Sequence, residues 1–310
     1  MQKIVITGAA GLVGQNLIAR LKSVPELKII GIDKHPTNTD LLRRLHPEVE
    51  VIEADLAQEG AWQDAFACAD AVVLNQAQIG GLVEKEFIDN NVTATERIVD
   101  AMRRHKTPYF VHISSSVVNS QADDFYTRSK TTQEHFIDTV TDIPHVILRP
   151  TLMFGWFDRK HLGWLRRFMD RTAVFPIPGN GAFIRQPLYV GDFAAIIISA
   201  LNTRKTGTFD ISGLEQINYG DLIKLIHNTV KPKARIVHIP YTLFWWLLFV
   251  YGKFSKNPPF TTSQLEALVI PETFPVIDWP KEFAITATPL KQAVEETYLN
   301  KTYSTIVLDF

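Results

Sequence analysis

Cysteine is nearly absent from this chain. Cys68 is the single cysteine among 310 residues, so neither a disulfide framework within the chain nor a cluster of thiolate metal ligands can form. The nine histidines show no pairing at the spacing of metal ligands, and we expect no metal site. Folding then depends on an apolar core, for which a hydrophobic content of 46% is ample.

The chain also lacks an excess of either charge and a long apolar run. A formal net charge of -1 is not the basic excess of a nucleic-acid binder, so we expect no nucleic-acid partner. The longest apolar run, Leu243–Tyr251, is far shorter than the ~20 residues of a membrane span. Met1 leads directly into the strand-like KIVITG, without the basic and apolar regions of a secretory signal. We expect a soluble, cytoplasmic protein.

Short, continuously apolar runs alternate with longer helical patterns in the first half of the chain. Such runs are typical of strands buried on both faces of a parallel sheet, and the alternation places helices on both of those faces. The predicted strands are Lys3–Ile6, Lys28–Ile32, Val49–Glu53, Ala71–Leu74, Tyr109–Ser114 and Pro144–Leu148. The predicted helices are Gly11–Lys22, Thr39–Leu45, Ala61–Ala67, Val83–Arg104 and Tyr126–Thr141. The pattern predicts an α/β fold, a Rossmann-like doubly wound parallel sheet, with ligands at the carboxyl ends of its strands.

The alternation weakens after residue 150. A helix at Lys160–Asp170 precedes a segment rich in proline and glycine, and then a helix at Gly191–Asn202 and a strand at Gly207–Ile211 indicate a return to the sheet. The remainder is helical with irregular joins. We predict a dinucleotide-binding domain over 1–150, with 186–212 returning to it. A smaller, mostly helical C-terminal substrate-binding lobe then comprises 151–185 and 213–310.

A glycine-rich turn, TGAAGLVG at residues 7–14, follows the first strand and opens the first helix. Gly8 permits the tight turn, Gly11 lets the backbone approach a pyrophosphate, and Gly14 lets the helix pack close to the strand. The amides of the first helical turn, at Leu12 and Val13, then face the phosphates. The alternative is an ordinary turn between strand and helix, but the position in the chain favours a dinucleotide site.

Asp33 ends the second strand, 19 residues after Gly14. An acidic side chain at this position accepts hydrogen bonds from the adenosine ribose of NAD, although a solvated aspartate is the plainer alternative. Lys34 and His35 follow and could tolerate a 2′-phosphate. The sequence favours NAD as cofactor and leaves NADP possible.

Tyr126 and Lys130 are four residues apart, so they share one face of a predicted helix. A free tyrosine has a pKa near ~10, and a neighbouring ammonium lowers that pKa toward the value that a general base needs. Three hydroxyls, Ser114 to Ser116, follow the fifth strand at the same sheet edge. This combination predicts proton abstraction from an alcohol.

In this order and spacing, the motifs resemble the extended short-chain dehydrogenase/reductase family over roughly residues 1–212. Four further segments match the family pattern. They are Asp55-Leu56, Asn91-Val92-Thr93-Ala94-Thr95, Leu148-Arg149-Pro150, and the segment that contains Gly179-Asn180-Gly181, Arg185 and Tyr189–Ala194.

The resemblance assigns roles to individual residues. Tyr126 would be the acid/base, Lys130 would lower its pKa and hold the nicotinamide ribose, and Ser115 would be the third catalytic residue. The further cofactor contacts that it implies are Asp55, Leu56, Asn91 and Pro150. The substrate contacts that it implies are Ser116, Thr151 and Arg185, with Ser116 as the alternative catalytic hydroxyl and Arg185 on a diphosphate.

The chain departs from the family pattern near the substrate, at Leu74–Ala77, Asn119-Ser120 and Phe154–Trp156. The resemblance therefore implies an NAD(P)-dependent oxidoreductase or epimerase that acts on an alcohol carbon, typically of a nucleotide sugar. A dehydratase remains open. Another alternative is a dehydrogenase or reductase of a hydrophobic alcohol or ketone, like 3β-hydroxysteroid dehydrogenases or flavonoid reductases. A non-catalytic dinucleotide-binding regulator is the third.

Two surface features complete the expectations. The resemblance suggests a homodimer through the helices predicted at Val83–Arg104 and Tyr126–Thr141. The run Leu243–Tyr251 predicts a helix packed in the C-terminal lobe, a dimer contact or the wall of a substrate pocket. A membrane surface is disfavoured because this segment lacks a basic polar face. The apolar dimer contacts would come from Phe87, Ile98, Met102, Phe136 and Ile137.

Overall fold

Seven parallel strands form the central sheet of the computed structural model, which describes residues 2–254 and 261–309. In chain order the strands are β1 (Lys3–Thr7), β2 (Lys28–Asp33), β3 (Glu50–Glu53), β4 (Ala71–Leu74), β5 (Phe110–Ile113), β6 (His145–Pro150), β7 (Met153–Phe154), β8 (Val174–Pro178), β9 (Ile184–Arg185), β10 (Leu188–Tyr189), β11 (Gly207–Ile211), β12 (Ile217–Asn218) and β13 (Arg235–Ile239). The central order is β11-β6-β5-β4-β1-β2-β3. This confirms the predicted doubly wound parallel sheet.

The helices cover both faces of this sheet. They are α1 (Leu12–Leu21), α2 (Pro36–Leu45), α3 (Glu84–Phe87), α4 (Ala94–Arg104), α5 (Phe125–Asp138), α6 (His161–Arg171), α7 (Val190–Thr203), α8 (Tyr219–Val230), α9 (Tyr241–Phe254), α10 (Thr262–Val269), α11 (Trp279–Glu282) and α12 (Leu290–Leu299). Because side chains alternate along a strand, Ile4 and Ile6 pack with α1 and α7 while Val5 packs with α4 and α5. Burial on both faces explains why the strands are continuously apolar.

Two predicted helices differ from the structure in type. Residues Ala61–Phe66 form a short 3-10 helix, a geometry that suits six residues better than a long element. The helix predicted at Val83–Arg104 is divided into α3, a π-helical segment at Ile88–Thr93, and α4. The wider π turn lets Asn90 and Asn91 reach the loop after β4, where both bind Gln78.

The predicted return of the chain to the sheet is confirmed, because β11 pairs with β6 from Gly207 to Ile211. Between these strands and after β11, short strands pair as β10 with β7, β12 with β9 and β13 with β8. A separate apolar cluster joins α6, α8 and α12. The exact division into a cofactor domain and a substrate lobe stays a prediction.

Four of the five residues expected to form apolar dimer contacts are wrong. Ile98, Met102 and Ile137 are fully buried under the central sheet and Phe87 is nearly so, which leaves them unavailable to a second chain. Phe136 is partly buried, and its contact with a second chain stays a prediction. A homodimer itself stays a prediction.

Helix α9 is not packed into a core as the first of its predicted alternatives required. Within its 14 residues, Phe244 is the one that is buried, and most of the others face outward. Among the residues that the structure describes, no helix is both long and apolar enough to cross a membrane.

Candidate active site

The glycine turn begins a cavity of about 700 Å³ at the carboxyl ends of the strands. Gly8 has φ +60, and a Cβ there would lie 2.8 Å from the backbone of Asn75 and Gln76. A Cβ on Gly14 would lie 2.5 Å from the carbonyl oxygen of Ala9. The close packing predicted for Gly14 is therefore confirmed. Gly8 and Gly11 line the cavity, whereas Gly14 lies outside its lining and packs against Ala9.

Asp33 closes the next part of the cavity. Its carboxylate accepts hydrogen bonds from the backbone amides of Ala10 and His35, each at 3.0 Å. These two bonds fix the orientation of the Asp33 side chain beside the glycine turn. Burial raises the pKa of Asp33, and these two hydrogen bonds oppose that rise. Lys34 also lines the cavity, and its ammonium donates a hydrogen bond to Asn90 Oδ1 at 2.7 Å.

Ser115 and Tyr126 both line the cavity. The Ser115 side chain lowers the pKa of the Tyr126 phenol, and Ser115 is the N-cap of the 3-10 turn Ser116–Asn119. Ser114 instead donates to the buried carboxylate of Glu134, which also binds Arg149. Ser116 lines the cavity. The geometry thus favours Ser115 over its neighbours as the partner of the phenol.

Lys130 also lines the cavity. It lies one turn after Tyr126 on α5, and its ammonium donates to the carbonyl of Ile113 at 2.9 Å and to Gln133. Burial lowers the pKa of Lys130 to about 7. Burial also raises the pKa of Tyr126, and the hydrogen bond from Ser115 opposes it. Burial is the largest influence on the pKa of both groups. That Lys130 lowers the pKa of the phenol stays a prediction.

Most of the predicted site residues meet in this one cavity. Besides those already described, the structure brings together Leu12, Val13, Asp55, Leu56, Pro150 and Thr151. The hydroxyl of Thr151 is buried and has no hydrogen-bond partner among the described residues. It is therefore a buried polar group that the described residues leave unsatisfied.

Besides Gly14, two predicted residues do not reach the cavity wall. Asn91 is fully buried and holds the loop after β4, since it accepts from the Gln78 amide at 2.7 Å and donates to the Gln78 carbonyl at 3.1 Å. Arg185 is turned toward the end of α10, where it donates to the carbonyls of Leu268 and Ile270. In the structure, Asn91 and Arg185 each hold another segment of the chain in place. Their contact with a ligand stays a prediction.

The far end of the cavity contains residues that sequence reasoning missed. They are Gln76, Gln78 and Ile79 after β4, Val117 and Ser120 after β5, Met153 and Lys160 after β6, and Phe274. Phe274 is held there by Gln186, whose side chain accepts from the Phe274 amide at 2.8 Å and donates to its carbonyl at 3.2 Å. No local pattern marks such a residue, although the departure at Leu74–Ala77 was a usable signal.

The cavity fits a dinucleotide. The bare backbone at Gly8 and Gly11, the oriented carboxylate of Asp33 and the unpartnered hydroxyl of Thr151 lie along one continuous surface. Asp33 can hold an adenosine ribose, and the first turn of α1 can hold a pyrophosphate. Lys130 and Tyr126 line the same cavity, between this part and the far end.

Fold and site together define a dinucleotide-dependent enzyme with an α/β sheet. The chain belongs to the NAD dependent epimerase/dehydratase family, whose model matches residues 4–212. NAD is the cofactor of this family, and the extended short-chain resemblance seen in the sequence is confirmed.

Individual relatives are distant. The Arabidopsis thaliana mitochondrial NADH dehydrogenase (ubiquinone) 1 alpha subcomplex subunit 9 is 22% identical over 77% of this chain, which spans 60% of that protein's length. The uncharacterised UDP-glucose epimerase YtcB of Bacillus subtilis is 26% identical over 76% of this chain and 84% of its own. A Mycobacterium tuberculosis 3 beta-hydroxysteroid dehydrogenase/Delta 5-->4-isomerase is 26% identical over 86% of this chain and 80% of its own.

Among solved structures, UDP-glucuronic acid 4-epimerase from Bacillus cereus, in complex with UDP-glucuronic acid and NAD, aligns with a TM-score of 0.68. Identity is 22%, and the alignment covers 96% of this chain and 98% of that one. This likeness shows that the fold is shared.

Proposed function

We propose that the protein is an NAD-dependent epimerase or dehydrogenase that acts on an alcohol carbon of a nucleotide sugar through Ser115, Tyr126 and Lys130. The observation that carries the proposal is the single cavity that brings Ser115, Tyr126 and Lys130 together with the glycine turn and Asp33. A regulator without activity would have no need of these three side chains there.

When bound, NAD supplies the acceptor for a hydride from the alcohol carbon. The positive charges of Lys130 and of oxidised NAD would favour the phenolate form of Tyr126, whose Oη then takes the proton of the substrate hydroxyl while Ser115 Oγ holds the oxygen as its charge develops. Lys130, which is fixed by Ile113 and Gln133, places its positive charge beside these groups. An epimerase would keep the ketone in the cavity until turnover is complete, whereas a dehydrogenase would release it.

The nucleotide-sugar part of the proposal is supported by the family and by relatives named for UDP-sugars. A phosphate-bearing substrate calls for a cation at the far end of the cavity. Arg185 does not line that end, whereas Lys160 does. We therefore assign to Lys160 the phosphate contact that was predicted for Arg185.

A second candidate is a dehydrogenase of an apolar alcohol. The apolar side chains of Ile79, Val117, Met153 and Phe274 line the same end. This wall fits a hydrocarbon ring system better than a sugar diphosphate. The 3 beta-hydroxysteroid dehydrogenase relative agrees with this reading.

One experiment separates the two. The protein is incubated with NAD and either UDP-hexoses or a 3β-hydroxysteroid, with Tyr126→Phe as the inactive control. A new UDP-hexose epimer without net NADH supports the first candidate, and net NADH with the steroid supports the second. Turnover of every substrate by Tyr126→Phe at the wild-type rate would reject the site itself. A dimer and a cytoplasmic location are further predictions, testable by light scattering and fractionation.

A further inference from the structure

Helix α9 presents a continuous apolar stripe to the outside of the molecule. Leu243, Trp246, Leu247, Val250 and Phe254 recur at helical spacing, and each is at least 50% exposed. Residues three, four and seven apart lie on one side of a helix, so these five side chains form one surface. Contiguous exposed apolar surface of this kind marks a contact with another apolar phase.

The helix has the composition of an element at a membrane interface. Seven of its 14 residues are Trp, Tyr or Phe, and Lys253 near its end carries its single charge. The indole N–H of Trp245 binds Glu266 at 2.8 Å, whereas Trp246 is 58% exposed. Trp and Tyr favour the headgroup level of bilayers because one end of each side chain is apolar and the other polar. At ~1.5 Å per residue the helix is about 21 Å long, too short to cross a hydrocarbon core of ~30 Å.

Positive charge lies in the segment that leads into this helix. No Asp or Glu occurs between Asp221 and Glu266, whereas that stretch contains six Lys or Arg in a chain of net charge -1. Three of them, Lys231, Lys233 and Arg235, are exposed before or at the start of β13 and form no ion pair among the described residues. β13 then runs five residues toward α9, which starts at Tyr241, so along the chain Arg235 lies at most roughly 20 Å and Lys231 at most roughly 33 Å from that start.

This charge distinguishes between the possible occupants of the stripe. A second copy paired through the same surface would bring two positive segments together, which is unfavourable. An anionic lipid surface attracts them, at about 1 kcal/mol for each Lys or Arg. The basic character that the helix itself lacks is supplied by the preceding strand and loop.

We propose that α9 binds the surface of a bilayer that contains anionic lipid. The stripe from Leu243 to Phe254 lies in the interface parallel to the membrane plane, and Lys231, Lys233 and Arg235 contact lipid phosphates. This attachment is peripheral and independent of catalysis, so it would hold for either substrate class.

The test uses the full chain with vesicles of phosphatidylcholine, with or without phosphatidylglycerol. Wild type should co-sediment with the anionic vesicles at low salt, with a blue shift of tryptophan emission. The combined variant Leu243→Glu, Leu247→Glu, Val250→Glu should lose at least roughly tenfold in affinity. Its side chains are exposed, so the melting temperature should be preserved.

Two further variants make the test specific. Leu299→Glu, at a 57% exposed leucine of α12, adds a charge elsewhere and should bind as wild type does. Lys231→Gln, Lys233→Gln, Arg235→Gln should weaken binding by roughly 100-fold and reduce its salt dependence.

Three results would overturn the proposal. The first is wild type that does not bind the anionic vesicles, and the second is equal binding by the α9 variant. The third is a dimer of the wild type that the α9 variant abolishes, because a second copy would then cover the stripe.

Discussion

The two ends of the cavity differ in how far apart in the chain their residues lie. At the cofactor end, Gly8, Gly11 and Asp33 come from one strand–turn–helix–strand unit at the start of the chain. At the substrate end, Ile79, Lys160 and Phe274 come from separate elements that only the tertiary fold brings together. Local geometry fixes the first end, and long-range packing fixes the second. A substitution should therefore act on one end and spare the other, except at Tyr126 and Lys130 between them.

The largest effect is expected where the two ends meet. Tyr126→Phe removes the hydroxyl proposed as acid/base and keeps the ring at the cavity wall, so turnover should fall by roughly 10²–10⁴-fold while NAD affinity changes little. Stopped-flow absorbance of reduced nicotinamide measures the step on any accepted substrate. Equal hydride-transfer rates in wild type and variant would refute the role of Tyr126.

Lys130 should make stability depend on pH. Its pKa is lowered to about 7 by burial, against ~10.4 in an unfolded chain. Between these values the unfolded state binds more protons, so the free energy of unfolding should rise with pH, by on the order of 3 kcal/mol. Urea titrations from about pH 7 to about pH 9.5 measure this slope, and Lys130→Met should remove it. Lys233→Met, at an exposed position, is the control; a slope that survives in Lys130→Met would contradict the buried ammonium.

Gly14→Ala tests the cofactor end through packing alone. The new Cβ would meet the Ala9 carbonyl at 2.5 Å, so we expect a loss of about 1–3 kcal/mol in the free energy of unfolding and weaker NAD binding. Gly252→Ala on α9, where a Cβ meets nothing within 4 Å, should be neutral or slightly stabilising. Similar losses in both variants would mean that the turn is not tightly packed.

Asp33→Ala tests cofactor choice. The carboxylate accepts a ribose and repels a 2′-phosphate, so wild type should prefer NAD, and the variant should narrow that preference by about 1–2 kcal/mol. Calorimetric titration of both cofactors gives the two affinities. Tighter binding of NADP by wild type would show that Lys34 and His35 decide instead.

Phe274→Ala should have the smallest effect and should be confined to the substrate end. Loss of this part of the wall should raise KM roughly threefold to tenfold, at unchanged NAD affinity. Phe254→Ala, at an exposed ring of α9, is the matched control. A change in NAD affinity in Phe274→Ala would show that the two ends are coupled.

The difference between locally determined and long-range parts of the cavity also decides what could be predicted from the sequence. The sheet, the glycine turn, Asp33 and the Ser115–Tyr126 pair were predictable because each follows from a local pattern and a known strand edge. Arg185 was not, since its guanidinium binds backbone carbonyls of a segment more than 80 residues away. The orientation of α9 could not be predicted either, because an apolar run has the same pattern whether a core or another phase covers it.

The separation of β6 and β11 in the chain also sets the order in which these neighbouring strands are synthesised. β6 gains its outer neighbour β11 only after residues 151–206 have been made, roughly 3–10 s later at ordinary rates of translation. During that interval the apolar strand HVILRP is an open edge, able to pair with another nascent chain. Slowed folding of the intervening segment should therefore reduce the yield of protein in cells more than the activity of the molecules that mature.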